Sequence, residues 1–224
     1  MLKQADKEAG AILLCAYAPV NDVVIEANVA GAHDIQVQRL GAKVKSVEMF
    51  NSQMAALHVL TPRSQRLRYL GGQGIEVSVD GVRGRYAIAS CPCEDRNIEL
   101  QIPRRPGDAF AEAVFTTLKA GDAVALEGPF GEFVLDEDSP RPAIFLAFGV
   151  GFAPIKSLNF NYVPHAPTDD QESVLKNIVV DYPDLHRFDV YAAGTAAQLE
   201  LARAHFVRQG LPEVRWFAGA TDIY

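Results

Sequence analysis

Apolar and polar residues alternate in short runs between residues 35 and 140. Turn residues such as glycine, proline and aspartate separate one run from the next. Because successive side chains of a strand point to opposite faces, this alternation predicts strands that are buried on one face. Short strands at this spacing favour an antiparallel β-barrel. The predicted strands span residues 42–48, 55–60, 74–79, 85–89, 97–102 and 122–127.

One helix is predicted within the barrel segment. Phe110, Val114 and Leu118 recur at helical spacing, which places them on one face of a helix. Asp108 precedes them, and aspartate is a favoured N-cap because its carboxylate accepts hydrogen bonds from free backbone N–H groups. We therefore expect this helix to pack its apolar face against the barrel.

The pattern changes after residue 141, where continuous apolar runs alternate with helical periodicity. Continuous runs are typical of parallel strands that are buried on both faces. Thr195 is a suitable N-cap for the last helix, and Gly210 is suited to end it. This half predicts a small parallel α/β domain, with strands over 143–148, 189–193 and 214–218 and helices over 170–182 and 196–209.

The first connection in this domain is short. Parallel strands need a crossover of about a dozen residues or more, usually helical. Another strand is predicted over 160–163, and the segment that leads to it from Phe148 contains Gly149, Gly151 and Pro154. This segment has room for only about two helical turns. The sequence therefore predicts that material has been lost after the first strand.

Charge and composition narrow the class of protein. The formal net charge is −7, and nucleic-acid-binding proteins usually carry a basic patch, so nucleic acid is not the expected partner. No apolar run approaches the roughly 18 residues of a transmembrane helix, and residues 1–10 carry charges where a signal peptide is apolar. Three cysteines cannot form a disulfide framework, which fits a reducing compartment. The expected location is the cytoplasm.

Four segments carry a family resemblance: GRYAIAS over 84–90, IELQI over 98–102, PGDAFA over 106–111 and EGPFGEF over 127–133. In this order they resemble the ferredoxin-NADP reductase superfamily, most closely the reductase components of bacterial oxygenases and the deoxysugar reductases. The resemblance implies an FAD-binding-type barrel over 35–140 and a truncated NAD(P)H-binding-type α/β domain over 141–224. Residues 10–17 (GAILLCAY) and 22–26 (DVVIE), in strands predicted over 11–17 and 22–28, have a resemblance of their own, to the end of a plant-type ferredoxin domain. It implies that residues 1–34 are the remnant of such a domain.

The flavin motif of the family is altered in this chain. In the family it reads Arg-x-Tyr-Ser: the arginine pairs with the flavin phosphate, the tyrosine packs on the isoalloxazine ring, and the serine bonds near the reactive nitrogen. The matching positions are Gly84, Arg85, Tyr86 and Ala87, so only the tyrosine is kept. Because a strand alternates its faces, the Arg85 side chain is expected to point away from Tyr86. The family's second phosphate contact, a serine or threonine, is replaced by Ala111.

FAD binding remains one interpretation of this segment. The other is that Tyr86 is a plain aromatic residue of the barrel core. The N–H groups at the start of the predicted helix are suited to an anion. No catalytic residue and no metal ligand is assigned. The candidate cofactor-binding residues are Arg85, Tyr86, Ala87, Ile88, Gly107, Asp108, Ala109 and Phe110.

The nicotinamide motifs are altered as well. In the family, a GGTG turn lies at a helix N-terminus, where the helix dipole favours a pyrophosphate. Here the turn reads FGVGFAP over 148–154, so Phe148 replaces the first glycine and Val150 replaces the threonine. The family's Cys-Gly-Pro motif is represented by the residues 193–195, Ala-Gly-Thr, which lack the thiol. NAD(P)H binding is therefore not expected, and the simpler interpretation is that these glycines only allow tight turns.

The cysteines do not predict an iron–sulfur cluster. Cys15 resembles the fourth cluster cysteine of a plant-type ferredoxin, but nothing before it can supply the other thiolates that a [2Fe–2S] cluster needs. A ferredoxin remnant without its partner strands leaves an open strand edge, which favours a protein partner or a homo-oligomer. Cys91 and Cys93 lack the second ligand pair of a zinc site, and a labile redox pair is the alternative.

Two functions are compatible with these features. In the first, the chain has lost NAD(P)H binding and the iron–sulfur cluster, and it acts as an accessory, assembly or docking subunit for an oxygenase-type or other redox partner. In the alternative, it is an FAD-containing oxidoreductase that passes electrons to a partner protein. The combined changes in the flavin, nicotinamide and cluster motifs favour the first.

Overall fold

The computed structural model describes residues 34–94, 96–158 and 171–221. The barrel and the parallel sheet described below belong to one compact unit, Gly31–Tyr224. Several features predicted above lie outside the described residues: Cys15 and the strands over 11–17, 22–28 and 160–163.

The antiparallel strands of the described chain form the predicted barrel: β1 (Gln38–Asn51), β2 (Met54–Leu60), β3 (Gly74–Val79), β4 (Val82–Ala87), β5 (Asn97–Pro103) and β6 (Ala123–Phe130). Their order across the sheet is β4-β3-β6-β1-β2-β5. A bridge between Ile88 and Leu100 joins the two outer strands and closes the sheet. Strand β1 is longer than predicted because it pairs with β6 along its first half and with β2 along its second.

The predicted helix is present as α1 (Ala109–Thr116) and packs against β2, β4 and β5. Phe110 and Val114 are fully buried, and Leu118, just beyond the end of the helix, packs on the same core. Asp108 is the N-cap, as predicted, since its carboxylate accepts from the backbone N–H of Ala111. The apolar face of α1 thereby completes the barrel core.

The second half contains a parallel sheet in the order β7 (Ala143–Ala147), β8 (Asp189–Gly194), β9 (Trp216–Ala220). Helices α2 (Phe152–Ser157), α3 (Gln171–Asp181) and α4 (Ala196–Arg208) accompany it. The predicted α/β class is confirmed, and β8 is buried along its whole length as a central strand should be. Strand β9 begins two residues later than predicted because residues 213–215 form a turn of 3-10 helix.

Side chains from both halves meet in one apolar cluster. Phe133, which follows β6, packs with Ile155 of α2 and with Tyr191 and Ala193 of β8. Next to this cluster, Lys156 Nζ lies 2.6 Å from both carboxylate oxygens of Glu99 on β5. The barrel and the parallel sheet are therefore joined by direct protein contacts.

A serine hydroxyl and a closely packed glycine also connect the two halves at this junction. Ser157 Oγ accepts a hydrogen bond of 2.6 Å from the N–H of Gly72, in the loop before β3. The same hydroxyl donates to the carbonyl of Pro154 at 2.7 Å. A Cβ at Gly72 would lie 1.9 Å from the carbonyl oxygen of Phe133, so no side chain fits there.

None of the helices that the structure describes could span a membrane, because none combines the necessary length with an apolar sequence.

Lys156→Met tests the ion pair at the junction. The change leaves the buried carboxylate of Glu99 without its cation, and an uncompensated buried polar group costs about 1–3 kcal/mol. We expect the free energy of unfolding, measured by urea denaturation, to fall by that amount. Lys176→Met is the control: its pair with Glu172 is exposed on α3, and such pairs contribute under about 0.5 kcal/mol. Equal losses for the two variants would contradict a structural role for Lys156.

Candidate functional site

The two segments predicted to contact a flavin lie side by side, at the end of β4 and at the start of α1. The Tyr86 side chain points into the barrel, is only 6% exposed, and packs on Phe110 with ring centroids 5.7 Å apart. Its hydroxyl donates a hydrogen bond of 2.9 Å to Asp108 Oδ2. Burial, together with this carboxylate, raises the pKa of Tyr86 well above its usual value, so the hydroxyl stays protonated as the donor.

The ring of Tyr86 also lies over Gly84, two residues earlier on the same face of β4. A Cβ built on Gly84 would lie 2.5 Å from the Tyr86 hydroxyl oxygen and 2.6 Å from the nearest ring carbon. In the family motif, the arginine that pairs with the phosphate stands at this position. The missing side chain of Gly84 thus provides the space that the Tyr86 ring fills.

Arg85 lies on the opposite face of β4, as predicted. Its Nε donates to Glu76 Oε2 at 3.0 Å, and its guanidinium lies 4.8 Å from the centre of the Phe130 ring. Ala87 and Ile88 are buried, and the N–H of Ile88 donates to the carbonyl of Gln73. Arg85 and Ala87 line a small cavity together with Tyr86, but Asp108 is not among its lining residues.

Asp108 occupies the N-terminus of α1 with its own carboxylate. Oδ1 accepts from the N–H of Ala111 at 2.8 Å, while Oδ2 accepts from Tyr86. A negative side chain at a helix N-terminus is favoured by the helix dipole, and it disfavours a second anion there. The site proposed for flavin phosphate therefore already carries an acid.

An open cavity of about 520 Å³ lies beside the start of α1. Its two guanidinium groups have partners: Arg104 forms two hydrogen bonds with Glu112, at 3.1 and 2.8 Å, and Arg105 donates to the Thr221 carbonyl at 3.4 Å. The lining residues are Gln53, Arg104, Arg105, Pro106, Gly107, Asp108, Ala109 and Glu112.

The space between barrel and parallel sheet, where a flavin ring on Tyr86 would lie, is much smaller. Tyr86, Ala87, Val150, Ala153 and Thr221 are among the residues around a cavity of about 20 Å³. Such a volume holds about one water molecule, whereas ligand pockets typically measure about 300–1,000 Å³. The side chains as they lie do not fit a flavin held as in the family motif.

The predicted nicotinamide turn is packed closely on the edge of the parallel sheet. A Cβ at Gly151 would lie 2.0 Å from the Ala193 carbonyl oxygen, and one at Gly194 would lie 2.9 Å from Cβ of Phe148. Gly149 has φ of +54°, a conformation that favours glycine. These contacts account for the glycines by packing, and Phe148 fills the space above Gly194.

The start of α4 is satisfied within the chain. Thr195 Oγ1 accepts from the N–H of Gln198 at 3.4 Å, and Gln198 Oε1 accepts from the N–H of Thr195 at 2.9 Å. This reciprocal capping box uses donors that a bound anion would otherwise need. The sequence predicts Thr195 as the N-cap, and the structure adds Gln198 as the second residue of the capping box.

Cys91 and Cys93 are joined in a disulfide in the loop between β4 and β5. No group of three potential metal ligands occurs among the described residues, so they offer a zinc ion no complete site.

The sequence pattern identified Asp108 as a helix cap but missed its bond to Tyr86. A tyrosine two positions after a glycine on the same strand face was the available signal.

The sequence matches the model of the oxidoreductase FAD-binding domain family over residues 41–135. It is 30% identical, over 264 residues, to the CDP-6-deoxy-L-threo-D-glycero-4-hexulose-3-dehydrase reductase of Yersinia pestis; the match covers 98% of this chain and 80% of that protein. It is 34% identical over 149 residues to reductase component 1 of terephthalate 1,2-dioxygenase from a Comamonas species, covering 66% of this chain and 44% of that protein.

Solved structures of similar fold come from the same class. The ferredoxin reductase of carbazole 1,9a-dioxygenase has a TM-score of 0.71 at 16% identity; the match covers 83% of this chain and 70% of that chain. A cytochrome P450 reductase of Amycolatopsis has a TM-score of 0.70 at 21% identity, covering 97% and 80%. The fold is thus that of a flavin-type reductase barrel followed by a nucleotide-binding-type sheet. The chain belongs to the ferredoxin-NADP reductase superfamily.

Gly84→Ala tests whether the Tyr86 ring is held over Gly84. The added methyl group overlaps the ring, and overpacking of this kind costs about 1–3 kcal/mol. We expect chemical denaturation to show this loss in the wild-type background and little loss in a Tyr86→Ala background. Gly41→Ala on β1 is the matched control, since its Cβ meets nothing within 4 Å; a change of under about 0.5 kcal/mol is expected. The same cost for Gly84→Ala with and without Tyr86 would contradict the contact.

Proposed function

We propose that this chain is a reductase-like accessory subunit that docks to a redox partner protein. In this function it does not transfer electrons from NAD(P)H through a flavin. The observation that carries the proposal is the contact of Tyr86 with Gly84 and Asp108. The tyrosine that stacks on the flavin in the family is here part of the barrel core, 6% exposed and bonded to the acid that caps α1.

The nicotinamide side supports the same function. Phe148 stands over Gly194 at the carboxyl edge of the sheet, where open α/β sheets bind their ligands. The capping box at Thr195 uses the N–H groups of Thr195 and Gln198. Both features disfavour a dinucleotide that is held as in the family motif.

A shortened second domain is part of the proposal. The alignment with the Yersinia pestis reductase runs over 264 residues, whereas this chain has 224, so that protein has about forty residues without a counterpart here. In the described part of the chain, α2 follows β7 with six residues, too few for a full crossover to a neighbouring parallel strand. We place the missing material after α2.

The partner is proposed to be a protein. Similar proteins are named as the reductase component or the electron transfer component of a dioxygenase or a monooxygenase, and a component of this kind has a protein partner. The junction of Phe133, Ile155, Tyr191 and Ala193 holds barrel and sheet together through protein contacts, so a docking surface of the reductase type can persist without a cofactor.

A second candidate is an FAD-binding electron carrier. It is favoured by Thr221 Oγ1, a buried hydroxyl that finds no hydrogen-bond partner among the described residues and that lines the small cavity beside Tyr86. The cavity of about 520 Å³ at the start of α1 would have to take the rest of the cofactor. For this function, Tyr86 must leave Asp108 and expose its ring.

Flavin binding by the purified chain separates the two candidates. We expect a colourless protein whose Kd for FAD and for FMN, from flavin fluorescence, is weaker than about 100 μM. NADH and NADPH should not reduce ferricyanide in its presence. A yellow protein that retains its flavin through gel filtration would overturn the accessory function and leave the second candidate.

Restoring the family motif should restore the flavin. Gly84→Arg supplies a cation for a phosphate and forces the Tyr86 ring from its position; Ala87→Ser supplies the missing hydroxyl. We expect the double variant to bind FAD at least tenfold more tightly than the wild-type chain. Gly41→Arg with Ala87→Ser places the same charge on β1 as a control and should leave the affinity unchanged. Equal affinities for both double variants would contradict the role assigned to position 84.

A further inference from the structure

The loop of Cys91, Pro92 and Cys93 has no part in the function proposed above. It follows β4 and leads to β5, and its two cysteines form a disulfide with Cα atoms 5.1 Å apart. Disulfides usually span about 4.4–6.8 Å between Cα atoms. Pro92 between them restricts its own φ to about −65°, which limits how far the sulfur atoms can separate after reduction.

The two cysteines have different surroundings. Cys91 is partly buried, and its carbonyl accepts a hydrogen bond of 3.0 Å from the hydroxyl of Tyr69. Its Sγ accepts from the backbone N–H of Cys93 at 3.0 Å. Cys93 is exposed. A thiolate is stabilised by hydrogen bonds to its charged form, so Cys91 is the better leaving group and Cys93 is the accessible sulfur.

We propose that Cys91 and Cys93 form a thiol–disulfide exchange site for a dithiol protein of the thioredoxin class. A thiolate of that protein attacks Sγ of Cys93, the bond between Cys93 and Cys91 breaks, and Cys91 leaves as a thiolate bonded to the N–H of Cys93. The second thiol of the partner then attacks the mixed disulfide and releases Cys93. The partner becomes a disulfide, and two electrons with two protons pass to the cysteine pair.

The position of the loop connects this exchange to the junction of the two halves. Ser90, directly before Cys91, accepts from the N–H of Glu99 through its Oγ, at 3.1 Å. Glu99 is the residue that binds Lys156 of α2. A single hydrogen bond, between Ser90 and Glu99, therefore connects the residue next to the cysteine pair with the ion pair that joins barrel and sheet. The site does not depend on whether a flavin binds.

The test uses the full chain equilibrated in buffers of reduced and oxidised glutathione. Free thiols are then alkylated and counted by mass spectrometry. We expect one reversible two-electron transition in the wild-type chain and in Cys15→Ser, and its loss in Cys91→Ser and in Cys93→Ser. A disulfide that glutathione reduces only after denaturation, or cysteines that stay reduced in oxidised glutathione, would overturn the proposal. Both of those outcomes are read on the wild-type chain, so they stand even if a cysteine variant fails to fold.

Two further readouts test the assigned roles. After a brief reaction of the oxidised chain with reduced glutathione and an acid quench, peptide mapping should find glutathione on Cys93 at least tenfold more often than on Cys91. Thioredoxin should reduce the pair at least tenfold faster than dithiothreitol at the same concentration. Glutathione mainly on Cys91 overturns the order of attack, and equal rates overturn the protein partner.

Discussion

The hydrogen bond from Tyr86 to Asp108 determines how the two most informative segments of this chain fit together. It holds the Tyr86 ring in the barrel core against Phe110, and it fixes the carboxylate that caps α1. The arrangement requires glycine at position 84, because any side chain there overlaps the ring. These contacts thus explain together why the tyrosine is buried and why position 84 is a glycine.

In the second half of the molecule, aromatic side chains likewise fill the available space. Phe148 packs over Gly194, and Tyr191 stacks on Phe217 with ring centroids 4.6 Å apart. Phe133 brings the barrel onto this aromatic layer. In the described residues, side chains occupy the contacts between the barrel and the parallel sheet.

Much of this fold could be predicted from the sequence because its signals are local. Alternating residues in β2 and β3, the cap at Asp108 and the cap at Thr195 each depend on a few neighbouring positions. The start of β9 was misplaced because Val214, with which the predicted strand begins, is apolar, but residues 213–215 form a 3-10 turn. The extra length of β1 was missed because it follows from pairing with two strands at once, which a local pattern does not reveal.

The candidate site was harder to predict because it also depends on contacts between residues that are distant in the sequence. Opposite faces for Arg85 and Tyr86 follow from strand geometry, and the structure has them so. The bond between Tyr86 and Asp108 joins residues 22 positions apart, so neither local motif contains it. The disulfide between Cys91 and Cys93 was one of two alternatives for a C-x-C spacing, and only the fold brings Glu99 to Ser90, the residue before it.

A crystal structure of the chain grown with millimolar FAD would show whether Tyr86 keeps its place beside Asp108. We predict Tyr86 in the barrel core, its hydroxyl within about 3 Å of Asp108, and no flavin on its ring. An isoalloxazine ring stacked on a Tyr86 that has turned away from Asp108 would contradict it.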